Sequence, residues 1–306
     1  MNTHTRPPNV ITLREILAAA EKGGYGVGSF SPRYTPMILP VLRAGQKMRS
    51  PLIVQISNNE LKRYYISAQE FAEEFYRVLR DERITVPVVL HLDHTKEMGV
   101  IREAIAAGFT SVMMDASEKP LDDNIAASKE AADYAHAHGA SAEAELGMIG
   151  TTDRIETDTD EELYTDPEEA ERFVRETGVD ALAVSVGTAH GVYMVRRPKV
   201  DYERLKAIKA RTGVHMVLHG GSGVPPEMMS RAIRLPGGGV SKVNIATDLE
   251  LALLEALGRE ERMTNAECKA LPPDQLERGR EAVERTMCDK MDNFLLSTGK
   301  AEEFSP

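Results

Sequence analysis

The chain has 306 residues, of which 42% are hydrophobic and 28% charged, and it carries a net charge of −11. These proportions are ordinary for a globular protein and exclude a disordered chain. No apolar run approaches the about 20 residues needed to span a bilayer, and the negative charge argues against a broad nucleic-acid-binding surface. The first residues form no apolar targeting segment, and Cys268 and Cys288 are the two cysteines, so we expect a cytoplasmic protein without a disulfide framework.

Short apolar runs rich in β-branched residues recur along the chain and predict strands. The predicted strands comprise residues 25–30, 52–56, 88–92, 111–115, 142–146, 181–186, 216–219 and 241–245. Most of these runs are continuously apolar, as expected of parallel strands that helices cover.

Helical patterns separate the predicted strands. The predicted helices comprise residues 13–21, 35–48, 68–80, 97–107, 122–138, 167–177, 202–211 and 226–233. The strongest helix start is at Asp166 and Pro167, where an acidic N-cap precedes a proline at the first helical position. Eight successive β-then-α units predict an α/β fold, a single (β/α)8 TIM barrel over residues 1–306, with extra C-terminal helices at about 258–306. A doubly wound sheet is the alternative.

Polar side chains follow six successive strands of the predicted barrel. They fall in HLDH (91–94), at Asp115 and Ser117, and in EAELG (143–147), GTAHG (187–191), HGGSG (219–223) and NIATD (244–248). Active sites of such barrels lie at the C-terminal ends of the strands. The sequence therefore predicts a functional site at this rim.

Three histidines on this rim predict a metal centre. His94, His190 and His219 would offer three neutral imidazoles and leave one position open, which is the arrangement of catalytic zinc. Glu145 is a further candidate, either as an occasional metal ligand or as a carboxylate that orients one. An ion pair at the barrel rim is the alternative for Glu145. We expect one zinc ion per chain, with a monovalent cation as an additional ion.

Asp93 directly precedes His94, and adjacent residues of a strand ordinarily point to opposite faces. At a strand end the chain turns out of the sheet, so Asp93 can face a substrate while His94 faces the metal. This position predicts a general acid/base. The alternative is a carboxylate that only orients a histidine.

Two glycine-containing segments after the seventh and eighth strands predict a phosphate site. Residues 220–223 lead to a helix near Pro226, and residues 244–247 lead to a helix from Asp248. Backbone amides at helix N-termini after the last two strands form the usual phosphate site of a barrel. A small phosphorylated ligand is therefore favoured.

Taken together, these motifs resemble those of the class II, metal-dependent fructose-bisphosphate and tagatose-bisphosphate aldolases. The resemblance extends from about Val10 to Leu257, and YTDP (164–167) and KVNIATD (242–248) are among its most specific pieces. It implies a TIM barrel with zinc on the three histidines and Asp93 as the acid/base at the aldehyde end. It also implies a dihydroxyacetone phosphate site formed by Gly191, Gly220, Ser222, Asn244 and Thr247. Further substrate-binding candidates on the rim are Ser57, Asp115, Ser117 and Ala246.

The activity implied by the resemblance is reversible retro-aldol cleavage of a ketose 1-phosphate or ketose bisphosphate. Cleavage next to a ketone leaves an enediolate, and zinc stabilises that charge as a Lewis acid. The products are dihydroxyacetone phosphate and an aldehyde. We expect a homodimer or homotetramer that acts in carbohydrate metabolism such as glycolysis.

Several positions depart from the family pattern, and they lie on the aldehyde side and the proton-transfer loop. Asp153 stands where the family tends to have a glutamate that moves the enediolate proton, and we assign that role to it. Ser31 replaces an asparagine, and residues 58–60 (NNE) replace small residues after the second strand. The arginine motif for a second phosphate is absent, with Arg278 and Arg280 as candidate substitutes. We therefore expect that fructose 1,6-bisphosphate is not the best ketose.

Two other functions fit part of the pattern. A zinc hydrolase on the same barrel would need a carboxylate to deprotonate metal-bound water, but no phosphate site. A non-catalytic sugar-phosphate-binding protein would not need Asp93 beside the metal histidines. Hydrolysis of esters or lactones without a retro-aldol product would favour the hydrolase.

Overall fold

The structure is a computed structural model that describes residues 6–149, 163–189, 191 and 198–304. Within these residues, eight parallel strands close into a barrel in sequence order, and β1 pairs with both β2 and β8. The strands are β1 Val27–Phe30, β2 Leu52–Ser57, β3 Val88–Thr95, β4 Ser111–Met114, β5 Ser141–Leu146, β6 Ala181–Val184, β7 His215–Leu218 and β8 Val240–Ile245. The predicted TIM barrel is confirmed, and the doubly wound alternative is wrong.

Helices surround the barrel. They are α1 Leu13–Gly23, α2 Ile38–Met48, α3 Asn58–Tyr64, α4 Ala68–Asp81, α5 Met98–Ala107, α6 Leu121–Ala137, α7 Pro167–Thr177, α8 Tyr202–Thr212, α9 Pro226–Ile233, α10 Thr247–Leu257, α11 Asn265–Lys269 and α12 Pro273–Asp289. Shorter helical turns are Thr35–Met37, Lys290–Phe294 and Lys300–Phe304. The predicted C-terminal helices are confirmed, and α12 packs against α2 and α10 on the outside of the barrel. Among the described helices, none has the length and apolar character needed to cross a membrane.

Local signals in the sequence set the boundaries of α7. The Asp166 carboxylate accepts hydrogen bonds from the backbone amides of Glu168 and Glu169 at 2.8 and 3.0 Å. The helix ends before Gly178, whose φ of 69° lies in the left-handed region that favours glycine. The observed helix therefore coincides with the predicted residues 167–177.

The predicted helices do not include α3, which follows β2 directly. Ser57 caps this helix, because its hydroxyl accepts a hydrogen bond from the Glu60 amide at 3.2 Å. The Glu60 carboxylate in turn accepts one from the Ser57 amide at 2.9 Å. This reciprocal pair is a capping box, and the residues NNE therefore open a helix.

One end of the barrel is closed and the other is left for the site. Apolar residues of α1, among them Leu13 and Leu17, pack with inward-facing residues at the strand starts, such as Val27, Ile53 and Val89. This plug closes the N-terminal end of the barrel. The polar side chains lie farther along the same strands, toward the opposite end.

Candidate active site

A bulge in β3 brings Asp93 and His94 toward the same site. The pairing of β3 with β4 shifts register between Leu92 and Thr95, and His94 has a φ of 28°, in the left-handed region. A bulge re-aims a side chain that regular alternation would direct to the opposite face. The sequence predicts that both residues can face the site because the chain leaves the sheet there, whereas β3 in fact continues to Thr95.

His219 follows β7 and lies against His94. The two rings are nearly perpendicular, at 80°, and their centroids are 4.5 Å apart. His219 Nε2 lies 3.0 Å from Glu143 Oε1, so the ionised carboxylate accepts the proton of that nitrogen. The tautomer that follows presents the lone pair of Nδ1 on the other side of the ring.

Asp115 fixes His94 in the same way. Its Oδ2 lies 2.8 Å from His94 Nδ1, and its Oδ1 accepts a hydrogen bond from the Ser117 hydroxyl at 2.8 Å. With Nδ1 engaged, His94 Nε2 is the nitrogen left to face the site. Asp115 and Ser117 are predicted to bind substrate, and the sequence does not indicate this contact with a histidine.

The donor set fits a divalent metal ion. His94 and His219 each present a ligand atom, and these two atoms and an Asp93 carboxylate oxygen lie within 4.8 Å of one another. Glu145 Oε2 lies 3.7 Å from His219 Nδ1 and is buried without a hydrogen-bond partner among the described residues. Burial raises the pKa of Glu145 to about 8. Two imidazoles beside carboxylate oxygens are ligands that suit zinc.

The charges around His94 also favour a cation at this point. Burial opposes protonation of His94, yet the Asp93, Asp115 and Glu145 carboxylates raise its pKa to about 10. The same carboxylates would stabilise a metal ion in place of that proton.

Asp93 is held as an ionised carboxylate. It accepts hydrogen bonds from Gln55 Nε2 at 3.2 Å and from Asn244 Nδ2 at 3.1 Å. Burial would raise its pKa, but His94, His91 and Lys242 keep the pKa well below its usual range. An ionised carboxylate beside the candidate metal ligands is in the state required to accept a proton.

A layer of buried polar residues supports these side chains from inside the barrel. Lys242, which is fully buried, donates hydrogen bonds to Glu143 Oε2 at 2.7 Å and to His91 Nε2 at 3.2 Å. Although burial raises the pKa of Glu143, Lys242 and His219 lower it to about 2. The sequence-based predictions include no role for Gln55, Glu143 or Lys242. Each of them lies two positions before a rim residue on the same face of its strand.

Removing the buried lysine should destabilise the fold strongly. Lys242→Met leaves the Glu143 carboxylate buried without its cation, a change that costs about 3–5 kcal/mol. We expect a loss of that size in the free energy of unfolding, measured by denaturant titration. Lys129→Met is the matched control on the exposed face of α6, with an expected change within about 0.5 kcal/mol. A loss below about 1 kcal/mol for Lys242→Met would contradict the ionic role.

The predicted phosphate segments lie after β7 and β8. Gly220 has a φ of 66°, and a Cβ there would collide with the Ala189 carbonyl oxygen. Ser222 Oγ accepts a hydrogen bond from the Asp248 amide at 3.2 Å, which joins the two segments. Ala246 is the N-cap of α10, which begins at Thr247.

The structure also describes three other residues that are predicted to bind substrate. Gly191 has a φ of 115°, in the region that favours glycine. Ser57 is engaged in the capping box of α3, so its hydroxyl already has partners. Asn244 binds Asp93 through Nδ2, and its Oδ1 has no hydrogen-bond partner among the described residues. Two other predicted site residues, His190 and Asp153, lie outside the described residues.

Comparisons with known proteins agree on one family. The family model described as fructose-bisphosphate aldolase class-II matches residues 11–300. A fructose-bisphosphate aldolase of Geobacillus stearothermophilus is 36% identical over 297 residues, which cover 96% of this chain and 100% of that protein. A 6-phospho-5-dehydro-2-deoxy-D-gluconate aldolase of Bacillus subtilis (strain 168) is 39% identical over 294 residues, covering 95% of this chain and 97% of the relative. The crystal structure of the YdjI aldolase from Escherichia coli K12 superimposes with a TM-score of 0.80 at 30% identity, covering 95% of this chain and 99% of the other.

Proposed function

Since the chain belongs to the class II fructose-bisphosphate aldolase family, we propose that it cleaves a ketose 1-phosphate reversibly to dihydroxyacetone phosphate and an aldehyde. The enzymes of this family are metal-dependent lyases, and we assign one zinc ion per chain as the metal, with a monovalent cation as an additional ion. The observation that carries the proposal is the buried ionised Asp93 beside His94 and His219, on a rim that also holds two helix-opening segments.

His94 and His219, completed by His190, would hold the metal, with Glu145 as an occasional ligand. A bound divalent ion would supply Lewis acidity for the negative charge that develops at the ketone oxygen. Glu143 and Asp115 keep the two described imidazoles in the orientation and tautomer needed to bind it. Truncating such supporting residues typically lowers metal affinity 10–100-fold.

Asp93 would take the proton of the hydroxyl that becomes the aldehyde, and would return it in the direction of synthesis. Its contacts suit this role, because Gln55 and Asn244 hold the carboxylate in place at the end of the buried layer. Asp153 is our candidate for moving the enediolate proton. A general base must lie within reach of the proton it accepts and must be ionised, and the ionised carboxylate at the rim supports this role for Asp93.

The phosphate of the donor would bind at the segments after β7 and β8. Gly191, Gly220, Ser222, Ala246 and Thr247 are the candidate contacts there. The N-terminus of α10 supplies a partial positive charge at this point of the rim. Asn244, whose Oδ1 is buried without a partner among the described residues, would contact the donor between the phosphate and Asp93.

The aldehyde end is where the relatives differ. Their names specify substrates that end in a second phosphate in one case and in a gluconate carboxylate in the other. The candidate arginines of this chain do not offer an obvious second phosphate site. Arg278 and Arg280 lie on α12, in the outer layer, and Arg280 binds the Pro36 carbonyl at 3.3 Å.

We therefore expect fructose 1-phosphate to be cleaved with a higher kcat/KM than fructose 1,6-bisphosphate. Each charge-assisted hydrogen bond that a second phosphate fails to make costs about 1.5–3 kcal/mol. A preference for the bisphosphate of tenfold or more would make this an ordinary bisphosphate aldolase.

Cleavage should stop after exhaustive chelation and return with zinc. Full activity without metal would exclude the mechanism.

We also infer a cytoplasmic homodimer or homotetramer that acts in carbohydrate metabolism such as glycolysis. Light scattering on the purified chain tests the assembly, and a monomeric mass at micromolar concentration would contradict it.

A further inference from the structure

A carboxylate lies between the C-terminal ends of β1 and β2, and the proposed function does not use it. The Ser31 hydroxyl donates to Glu60, whose two oxygens lie at 3.0 and 2.9 Å. Glu60 Oε2 also accepts from the amide and hydroxyl of Ser57, at 2.9 and 3.2 Å. The Glu60 side chain is 14% exposed, which leaves part of this carboxylate open at the rim.

These residues belong to the same inward face as Asp93. Val27 of β1 and Ile53 of β2 lie in the inner core. Ser31 follows Val27, and Ser57 follows Ile53, by an even number of positions, and residues so spaced point to the same face of a strand. Ser57 is also the register partner of Asp93. Glu60 therefore lies on the side of the rim where Asp93 would receive the proton of the aldehyde fragment.

Glu60 shares its cation, Arg33, with a second carboxylate. Arg33, with a φ of 60°, lies between Glu250, which it contacts directly, and Glu60, whose Oε1 is 3.4 Å from Arg33 Nε. Glu250 pairs on its other side with the half-exposed Arg262 at 2.9 Å. Glu60 and the buried Glu250 thus share the buried Arg33 guanidinium, and the second cation of the cluster, Arg262, is half exposed.

The same contacts decide which hydrogen bonds the rim can offer. Glu60 takes the protons of both serine hydroxyls and of the Ser57 amide, and the Glu60 amide occupies one lone pair of the Ser57 hydroxyl, so Ser57 keeps one acceptor lone pair and Ser31 keeps its own. A phosphate or carboxylate, which has only acceptor oxygens, gains no hydrogen bond from these two hydroxyls and meets the negative charge of Glu60. A sugar hydroxyl can donate to the same lone pairs.

We propose that Glu60, held by Ser31 and Ser57, determines specificity by selecting a neutral hydroxyaldehyde and rejecting an anionic one. The inference rests on the proposed function, since it concerns the aldehyde that condenses with dihydroxyacetone phosphate. Like-charge contact is an effective means of rejecting a wrong ligand, because the correct ligand bears no cost from it.

The test compares two matched pairs of aldehydes with dihydroxyacetone phosphate as donor. The pairs are glycolaldehyde with glycolaldehyde phosphate, and D-glyceraldehyde with its 3-phosphate. In the unmodified protein the neutral member should have the higher kcat/KM. Glu60→Gln keeps the size and an acceptor oxygen of the side chain, and should shift the ratio toward the phosphorylated aldehyde about tenfold or more.

Glu97→Gln is the matched control. Glu97 lies on the same side of the barrel but is about half exposed and already paired with Lys62 at 2.6 Å. Its replacement should leave the ratio unchanged within about twofold, because exposed pairs contribute little. Glu250→Gln removes the other carboxylate from Arg33 and should shift the ratio in the same direction as Glu60→Gln. This second variant tests the inference if Glu60→Gln does not fold.

Failure of the inference and failure of the proposed function give different results. Exchange of the donor's hydroxymethyl hydrogen in D2O, followed by NMR, needs no aldehyde and tests the donor half of the reaction alone. Absence of exchange with zinc present would overturn the proposed function. Exchange together with an unchanged aldehyde ratio in both Glu60→Gln and Glu250→Gln would overturn the role of Glu60.

Discussion

Asp93→Ala is expected to retain metal and to lower turnover by a factor of about 10²–10⁴, the usual contribution of a general acid/base. The variant removes the carboxylate that would exchange a proton with the substrate. It leaves the contacts between His219 and Glu143 and between His94 and Asp115 intact. Metal content by atomic emission and cleavage rate at saturating zinc are the two measurements.

The two measurements separate the two interpretations of Asp93. If the carboxylate only orients His94, zinc affinity should fall by about 10–100-fold and excess zinc should restore turnover. Recovery of the full rate on zinc titration would therefore contradict an acid/base role.

His219→Ala is expected to abolish both metal binding and turnover while the fold survives. The variant removes one of the candidate ligands, and the open rim is not part of the apolar core. Zinc affinity, metal content and circular dichroism spectra measure the three effects. The same result is expected for His190→Ala.

His215→Ala provides the matched control for His219→Ala. His215 lies at the opposite end of the same strand, where its Nδ1 is 2.8 Å from Glu21. It should retain metal and activity. Wild-type zinc content in His219→Ala would remove the histidine from the metal site.

The fold was readable from the sequence because its signals are local and repeated. Apolar strands with capped helices between them predict a barrel, and the barrel then brings distant motifs to one rim. In the structure Asp93, His94 and His219 lie close together, and Glu145 Oε2 is 3.7 Å from His219 Nδ1. Their partners were harder to identify, because whether Asp115 contacts a substrate or a histidine depends on side-chain geometry.

Two features of the sequence indicate parts of the structure beyond the predicted elements. The spacing of Ser57 and Glu60 is that of a capping box, and it indicates the short helix after β2. Gln55, Glu143 and Lys242 interrupt otherwise apolar strands in phase with the rim residues, and this pattern indicates a polar interior. The bulge at His94 depends on the register of two paired strands, which a single segment does not encode.

The buried Lys242 has a consequence for how the barrel forms. It lies on β8, the last strand, yet it bonds to Glu143 on β5 and to His91 on β3, across the barrel from its own neighbours β7 and β1. Until β8 docks, Glu143 has no cation in the interior, and drying that interior around an uncompensated carboxylate costs several kcal/mol. A seven-stranded intermediate would therefore keep a hydrated centre. Ring closure and expulsion of the interior water should then occur as one cooperative event late in folding.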